Sequence, residues 1–262
     1  MYVTLSSLTR TQWFFLLGVF AVGLPIDMRI DLPGQALLSV LIWLALFYVL
    51  AGFKPHERIV LWACAIIATT GELFLSQLWG LYTYRLGNIP FFIPPGHCML
   101  FILAVGMAPR VPKLAANVIL GGAVVYAICV AALRIDTLAI PLLAFFAAVV
   151  INTPGHRPFY ASTFLLALAL EIYGTVLGNW VWVREVPVFP FVTTNPPGLV
   201  SAFYAVLDTL IACTALPLAR RLNLLPLDGA VQAVRASAPA TDAPEETCRF
   251  NNALRRKSAE PA

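Results

Sequence analysis

Residues Gly71–His97 read GELFLSQLWGLYTYRLGNIPFFIPPGH, and this segment determines how the rest of the chain is interpreted. It places a carboxyl group, Glu72, inside an apolar run typical of a membrane helix, and follows it with aromatic residues and a proline-rich turn. An ionisable group at the centre of a spanning helix costs about 2.5–3.5 kcal/mol on insertion scales, so it is a functional candidate by default.

The composition is that of an integral membrane protein. The 262 residues are 60% hydrophobic and only 11% charged, whereas a soluble domain is about 45–50% apolar. Apolar runs long enough to cross a bilayer recur along the chain. The sequence therefore predicts an all-α, polytopic membrane helix bundle with about eight transmembrane helices, at residues 12–29, 33–52, 59–82, 97–112, 114–133, 137–152, 159–183 and 198–219.

The chain divides into a transmembrane domain, residues 1–219, and a tail, residues 220–262. The tail is rich in Ala, Pro and charged residues without an apolar period, and is predicted to be disordered and cytoplasmic. Eight Lys and Arg residues fall on one side of the predicted spans and four on the other. The positive-inside rule then predicts a multi-pass protein of the cell membrane with both termini in the cytoplasm.

Several classes of ligand are not indicated. The five cysteines form no CxxC pair, and His97 has no His or Cys partner at ligand spacing, so neither a metal site nor a disulfide framework is expected. The net charge of +4 comes from dispersed residues, so no nucleic-acid partner is expected. The oligomeric state is left open.

A second segment, Leu170–Gly198, repeats the first and reads LEIYGTVLGNWVWVREVPVFPFVTTNPPG. Glu72 corresponds to Glu171, and after one residue of slippage two aromatic residues, an arginine, Pro-Phe and Pro-Pro-Gly correspond in turn. Both acids lie in odd-numbered spans, so the pattern predicts two parallel four-helix repeats, about 1–112 and 113–219. Parallel repeats related by an axis along the membrane normal can enclose a central site.

Three carboxyl groups lie well inside the predicted spans, and we take Glu72, Glu171 and Asp208 as candidate catalytic residues. Burial disfavours the charged form, so at least one is expected to be protonated at neutral pH and able to donate a proton, while an ionised neighbour accepts one. Ser76 and Thr175 follow the glutamates by four residues, where a hydroxyl group can orient the carboxyl group.

Aromatic and amide residues near the acids are candidate substrate-binding residues. Aromatic faces stabilise a nearby cation by about 0.5–2 kcal/mol each, which is what carbocation chemistry requires. The candidate substrate-binding residues are Ser76, Trp79, Tyr82, Tyr84, Asn88, Thr175, Asn179, Trp180, Trp182 and Asn195.

Structural roles are open alternatives. The glutamates could bond each other or nearby amides to hold the bundle together, and Asp208 could pair with a hydroxyl group. The aromatic residues could form an interfacial belt, and Arg85 and Arg184 could be cations at the membrane surface.

The segments GLYTYRLGNIPFFIPPGH and WVWVREVPVFPFVTTNPPG resemble integral-membrane carotenoid hydratases of the bisanhydrobacterioruberin hydratase type. The shared pattern is an acid in a helix, Gly-x-Tyr-x-Tyr, a proline turn, and in the second half Trp-x-Trp with a further proline turn. The chain departs from it at His97 and Leu199, where the pattern has Trp. The resemblance implies cofactor-independent addition of water to a terminal double bond of an isoprenoid lipid.

Two other functions stay open. Glu72 and Asp208 occupy places similar to the acids of the integral-membrane terpene cyclases of meroterpenoid pathways, which would protonate an olefin in the same way. Parallel repeats with acids at the midplane also describe proton-coupled transporters or lipid-binding membrane proteins. The expected partner in every case is a hydrophobic lipid.

Overall fold

A computed structural model describes residues 5–222, of which 72% are helical. This part of the chain forms eight α-helices and one two-stranded antiparallel ribbon, in the order α1 Arg10–Asp27, α2 Leu32–Leu50, α3 Pro55–Glu72, β1 Tyr82–Tyr84, α4 Ile93–Met107, α5 Lys113–Ala132, α6 Ala139–Asn152, α7 Arg157–Leu177, β2 Trp180–Trp182 and α8 Ser201–Arg221. A π-helical segment, Leu73–Leu78, continues α3, and short 3₁₀ turns follow α4 and precede α7.

Five of the helical segments are long and apolar enough to cross a membrane. They are Leu32–Leu50, Pro55–Leu78, Lys113–Ala132, Pro154–Leu177 and Ser201–Ala219. Large apolar side chains on them are exposed, as in Leu37, Val118 and Val176, which a lipid environment would cover. Helix α8 ends at Arg221, so it includes the first residues of the predicted tail. Residues 223–262 lie outside the described part of the chain.

Local signals explain several helix ends. Thr9 accepts from the Gln12 backbone N–H at 3.2 Å and the Gln12 side chain accepts in return, which forms a capping box at the start of α1. Asp31 caps α2 by accepting from the Gly34 N–H at 3.1 Å. Gly178 ends α7 with a φ of 90°, a left-handed conformation that glycine adopts without strain.

Helices α3, α4, α7 and α8 pack against one another and form the centre of the molecule. Helices α1 and α2 lie against α4, while α5 and α6 lie against α7 and α8. Small and branched side chains fill the contacts between the central helices, and Cys64, Met99, Ala161 and Ile211 are fully buried there.

The ribbon joins the two segments that the sequence comparison paired. Tyr82 lies opposite Trp182, and Tyr84 lies opposite Trp180. Backbone bonds from Arg85 N to Asn179 O and from Val183 N to Leu81 O, both 2.9 Å, extend it at its two ends. Successive strand residues point to opposite faces, so the four aromatic rings are buried together.

Two predicted helix ends are wrong, because the ribbon begins where the helices were expected to continue. The predicted spans 59–82 and 159–183 carry the third helix through Tyr82 and the seventh through Trp182, whereas the helical segments end at Leu78 and Leu177. Gly80, with a φ of 75°, and Gly178 reverse the chain in left-handed conformations, and the alternating aromatic residues that follow favour a strand.

The π-helical segment explains the one-residue slippage between the repeats. Glu72 precedes Gly80 by eight residues, whereas Glu171 precedes Gly178 by seven. A π-helical turn bonds residue i to i+5 and so takes up one extra residue within a helix. The bond from Trp79 N to Phe74 O, 2.8 Å, has this spacing, whereas Gly178 N bonds to Gly174 O in the ordinary α-helical way.

Candidate functional site

Glu72 ends α3 and is 8% exposed. One oxygen of its carboxyl group, Oε2, accepts hydrogen bonds from the hydroxyl groups of Tyr82 and Tyr84, each at 2.6 Å. Both tyrosines come from β1, whose alternation turns them to the same buried face. The first half of the ribbon therefore holds the first acid.

Glu171 lies in α7, is 6% exposed, and is held by the other strand. Its Oε2 accepts from the indole N–H of Trp180 at 2.8 Å and of Trp182 at 3.1 Å. Its Oε1 accepts from the hydroxyl group of Tyr204 in α8 at 2.8 Å. An indole N–H can only donate, so these contacts suit an ionised carboxylate.

The aromatic residues connect the two acids. The rings of Tyr82 and Trp182 lie 4.4 Å apart between centroids, and those of Tyr84 and Trp180 make an edge contact at 6.1 Å. Each pair joins a side chain bonded to Glu72 with one bonded to Glu171. The acids thus belong to one buried assembly.

A cavity of about 60 Å³ opens onto both acids. Its polar lining comprises Glu72, Glu171, Tyr82, Tyr84, His97, Trp180 and Tyr204. Its apolar lining comprises Val19, Phe20, Leu24, Phe92, Ile93, Gly96, Leu100 and Leu170, and no Lys or Arg is present in this set. Two carboxyl groups therefore line a space whose other walls are mainly apolar and aromatic.

Two polar residues of the cavity lining, His97 and Tyr204, were not among the predicted site residues. His97 Nε2 lies 3.6 Å from Glu72 Oε1, and its ring stacks on Tyr204 with centroids 5.4 Å apart and an interplanar angle of 15°. The sequence showed His97 only as a histidine without a metal-ligand partner. Its position directly after Pro-Pro-Gly at the start of α4 was the one available signal.

The tyrosines of the ribbon keep their protons. Burial, and then the nearby charge of Glu72, raises the pKa of Tyr82 and Tyr84 well above the usual value of a tyrosine. Their hydroxyl groups therefore stay available as donors to Glu72.

The hydroxyl groups predicted to orient the acids have other contacts. The Thr175 hydroxyl donates to the backbone carbonyl groups of Glu171 at 2.8 Å and Ile172 at 3.1 Å, a common bond for threonine within a helix. Ser76 accepts from the Gln77 side chain at 3.2 Å. Neither residue lines the cavity.

The predicted amide residues hold the frame of the site. Asn88 donates to Gln35 at 2.8 Å, and Asn179 donates to Asp27 Oδ2 at 2.8 Å. Asn195 accepts from the Trp182 backbone N–H at 3.0 Å, which fixes the end of β2.

Trp79 and Asp208 lie outside the cavity lining. The Trp79 indole donates to the Pro187 carbonyl at 2.9 Å, so this residue joins two loops. Asp208 is buried and accepts from the Thr163 hydroxyl at 3.1 Å, in the pairing that the sequence left open as its structural role.

Two further buried acids anchor the turns after α1 and α5. Asp27 accepts from Gln35 Nε2 at 2.7 Å and faces Arg85 at 3.9 Å. Asp136 accepts from Ala139 N at 3.1 Å, the Thr194 hydroxyl at 3.1 Å and Gly198 N at 3.2 Å. The sequence signal for Asp136 is the repeated Arg-Ile-Asp of residues 29–31 and 134–136.

The arginines of the repeat bind these same turns. Arg85 donates to the carbonyl groups of Asp27 and Ile30, the latter at 2.7 Å. Arg184 donates to the carbonyl group of Ile135 at 2.9 Å, and Ile135 occupies the place of Ile30 in the repeated Arg-Ile-Asp. Both arginines thus connect the ribbon to the turn between two helices.

Among residues 5–222, no group of three or more His, Cys, Asp or Glu side chains is placed to hold a metal ion. Comparison with protein-family models, with curated proteins and with solved structures finds no match to this chain.

Proposed function

We propose that this protein is a membrane-embedded acid–base enzyme that adds water to a carbon–carbon double bond of an isoprenoid lipid, without a cofactor. The observation that carries the proposal is that Glu72 and Glu171 both line the same cavity. Its apolar wall fits the end of a hydrocarbon chain, and the absence of Lys and Arg from the lining fits an uncharged substrate end.

The hydrogen bonds give the two acids different roles. Tyrosine hydroxyl groups can accept as well as donate, so the surroundings of Glu72 tolerate a protonated carboxyl group, and this residue is the proton donor. Glu171 accepts from two indoles and one hydroxyl group, which stabilise its carboxylate, and this residue is the base.

The proposed reaction begins with proton transfer from Glu72. The Glu72 carboxyl group gives its proton to one olefin carbon, and the π electrons form the new C–H bond. The carbocation left on the neighbouring carbon is stabilised by the faces of Tyr82, Tyr84 and Trp180. A water oxygen then bonds to this carbon while the Glu171 carboxylate takes one of the water protons, which returns to Glu72 before the next turnover.

Room for water beside the acids and the position of Asp208 support hydration over cyclisation. One water molecule needs about 10–15 Å³ of such space, so about 60 Å³ holds a few water molecules or one small group beside the acids. Asp208, the second acid in the comparison with terpene cyclases, does not line the cavity.

We also propose that α1 to α8 all cross the membrane, as two parallel four-helix repeats with both termini in the cytoplasm. Three pairs of corresponding features support the repeats: the two glutamates with their ribbon strands, Gly80 with Gly178, and the two arginines that bind corresponding turns. A two-fold axis through the ribbon would relate each pair.

The test is expression in a host that makes carotenoids or other polyprenyl lipids, with mass analysis of the extracted lipids. The proposal predicts a product heavier by one water, absent with the Glu72→Gln and Glu171→Gln variants and present with Asp31→Asn, a carboxyl-to-amide control at the exposed cap of α2. An isomer of unchanged mass would support cyclisation instead. Unchanged lipids, together with flux that depends on a pH gradient in vesicles, would support transport.

A further inference from the structure

The contacts of His97 add a third titratable residue to the site of the two glutamates. The catalytic role inferred for it below rests on the proposed function. His97 Nδ1 lies 3.1 Å from the backbone carbonyl oxygen of Ile93, one turn earlier in α4. A carbonyl oxygen only accepts, so Nδ1 carries a hydrogen. In the neutral imidazole the other nitrogen, Nε2, therefore presents its lone pair, and this atom faces Glu72.

The facing oxygen of Glu72 is available to His97. Glu72 Oε2 is occupied by Tyr82 and Tyr84, while within residues 5–222 no hydrogen bond to Oε1 is formed. Oε1 lies 3.6 Å from His97 Nε2, slightly longer than a hydrogen bond, so a small approach of the two side chains brings them into contact.

The contact between Glu72 Oε1 and His97 Nε2 is favourable with one proton between the two atoms. Without a proton, two lone pairs would face each other in a buried space, and with two protons, two donors would face each other. One proton gives either a carboxylic acid beside a neutral imidazole or a carboxylate beside an imidazolium ion, and both are favourable.

The other groups around His97 favour this pair. Tyr204 stacks on the imidazole ring, which stabilises its cationic form. The titratable groups that line the cavity are Glu72 from α3, Tyr82 and Tyr84 from β1, Glu171 from α7 and Tyr204 from α8, while its lining residues from α1 are apolar. None of these groups is a permanent cation that would drive the proton off His97.

We infer that His97 is a positioning residue that shares one proton with Glu72 and supplies it to the carboxyl group facing the substrate. His97 acts through Glu72. The proton on Nε2 of the imidazolium ion passes to the Glu72 carboxylate, which becomes the carboxylic acid that protonates the olefin. Glu171, bound by three donors, holds no share of this proton.

The test follows the ionisation of His97 without any substrate, so it is independent of whether the protein hydrates lipids. Protein labelled with ¹⁵N in its three histidines, His56, His97 and His156, is placed in lipid nanodiscs and titrated by NMR. The variant His97→Asn identifies the His97 signals. We expect the His97 transition in Glu72→Gln to differ from that of the wild type, because the imidazole then faces an amide and no longer shares a proton with a carboxyl group.

The control is Asp31→Asn, which removes a carboxyl group from the cap of α2, outside the cavity, and is expected to leave the His97 transition in place. An unchanged transition in Glu72→Gln would overturn the inference. A structural histidine that merely bonds to Ile93 would show this result.

A second measurement uses the unmodified protein, in case Glu72→Gln does not fold. Dicyclohexylcarbodiimide reacts with protonated carboxyl groups in membranes, and mass spectrometry of peptides locates the adduct. The shared proton predicts labelling of Glu72 several-fold above Glu171. Equal labelling, or more labelling of Glu171, would contradict the inference, whereas loss of lipid hydration with preferential labelling of Glu72 would count against the proposed reaction alone.

Discussion

Tyr82 and Trp182 lie opposite each other in the ribbon with ring centroids 4.4 Å apart, and yet they bond to different acids. The Tyr82 hydroxyl donates to Glu72, and the Trp182 indole donates to Glu171. The donors of one glutamate are therefore packed directly against the donors of the other. The ribbon is the element that turns two separate buried acids into one site.

The tyrosines of the ribbon predict how stability depends on pH. An unfolded tyrosine ionises near pH 10, whereas burial and Glu72 raise the pKa of Tyr82 and Tyr84 in the folded protein. The folded state then binds more protons, so their contribution to stability is complete below about pH 10 and is lost as the pH rises toward the folded-state values. Thermal unfolding in detergent measures the decline.

The variant with both Tyr82→Phe and Tyr84→Phe should lose part of this alkaline decline, although it is less stable at neutral pH because Glu72 loses two donors. Each lost bond is expected to cost about 1–3 kcal/mol. Tyr48→Phe, at an exposed tyrosine of α2, is the matched control. Equal alkaline slopes in the double variant and the wild type would contradict the prediction.

Gly174 should tolerate no side chain. A Cβ atom at this position would overlap the ring of Trp180, whose indole is held by its bond to Glu171. Gly174→Ala is expected to cost about 1–3 kcal/mol of unfolding free energy and to change the tryptophan fluorescence.

Gly121→Ala is the control for this substitution, since it lies in α5 with nothing within 4 Å of the added atom. Alanine should stabilise the helix there by about 0.5–1 kcal/mol. If both variants unfolded at the same temperature, the close approach of Trp180 to α7 would be wrong.

The sequence predicted a helical bundle because apolar runs and helix-ending prolines are local signals, and the structure confirms the mostly helical fold, with five helices long and apolar enough to cross a membrane. The count of about eight spans and the two-repeat layout stay predictions. The comparison of segments also matched Tyr82 and Tyr84 with Trp180 and Trp182, the residues of the two paired strands. The strands themselves were missed, because the aromatic residues continue an apolar run that a helical period also fits.

The contacts between distant segments could not be read from the sequence. His97 meets Glu72 only because α4 packs on α3, and nothing local to His97 indicates an acid nearby. Likewise Asn179 bonds to Asp27 across 152 positions of the chain, so its role in the frame depends on tertiary structure. The contacts of His97 and Asn179 therefore depend on helix packing that a local sequence pattern does not contain.

Tyr204 should affect the proposed reaction more than folding. Tyr204→Phe removes the hydroxyl donor from Glu171 Oε1 but keeps the ring that stacks on His97. We expect lipid hydration to fall about tenfold, while stability changes by about 1 kcal/mol. Tyr173→Phe, which removes a bond from α7 to the Ala21 carbonyl, controls for the loss of a hydroxyl group, and equal activity of the two variants would contradict the role of Tyr204.

The π-helical segment predicts that two similar deletions differ in effect. Leu78 and Val176 each lie two residues before the glycine that ends their helix, and each is 78% exposed, so neither deletion removes a buried side chain. Deleting Leu78 removes the extra residue of the segment and gives Glu72 the seven-residue spacing to glycine that Glu171 has. The helix can then continue with ordinary α-helical bonds, and the ribbon keeps its register.

Deleting Val176 removes a residue from a regular helix, because α7 has no extra residue before Gly178. The residues beyond the deletion would rotate by about 100° relative to the helix, which takes the indoles of Trp180 and Trp182 away from Glu171. We expect the Leu78 deletion to lie within about 1 kcal/mol of the wild type and the Val176 deletion to lose more than about 3 kcal/mol or fail to fold. Thermal unfolding and size-exclusion chromatography in detergent measure both, and equal damage by the two deletions would show that the π-helical segment does not absorb the extra residue.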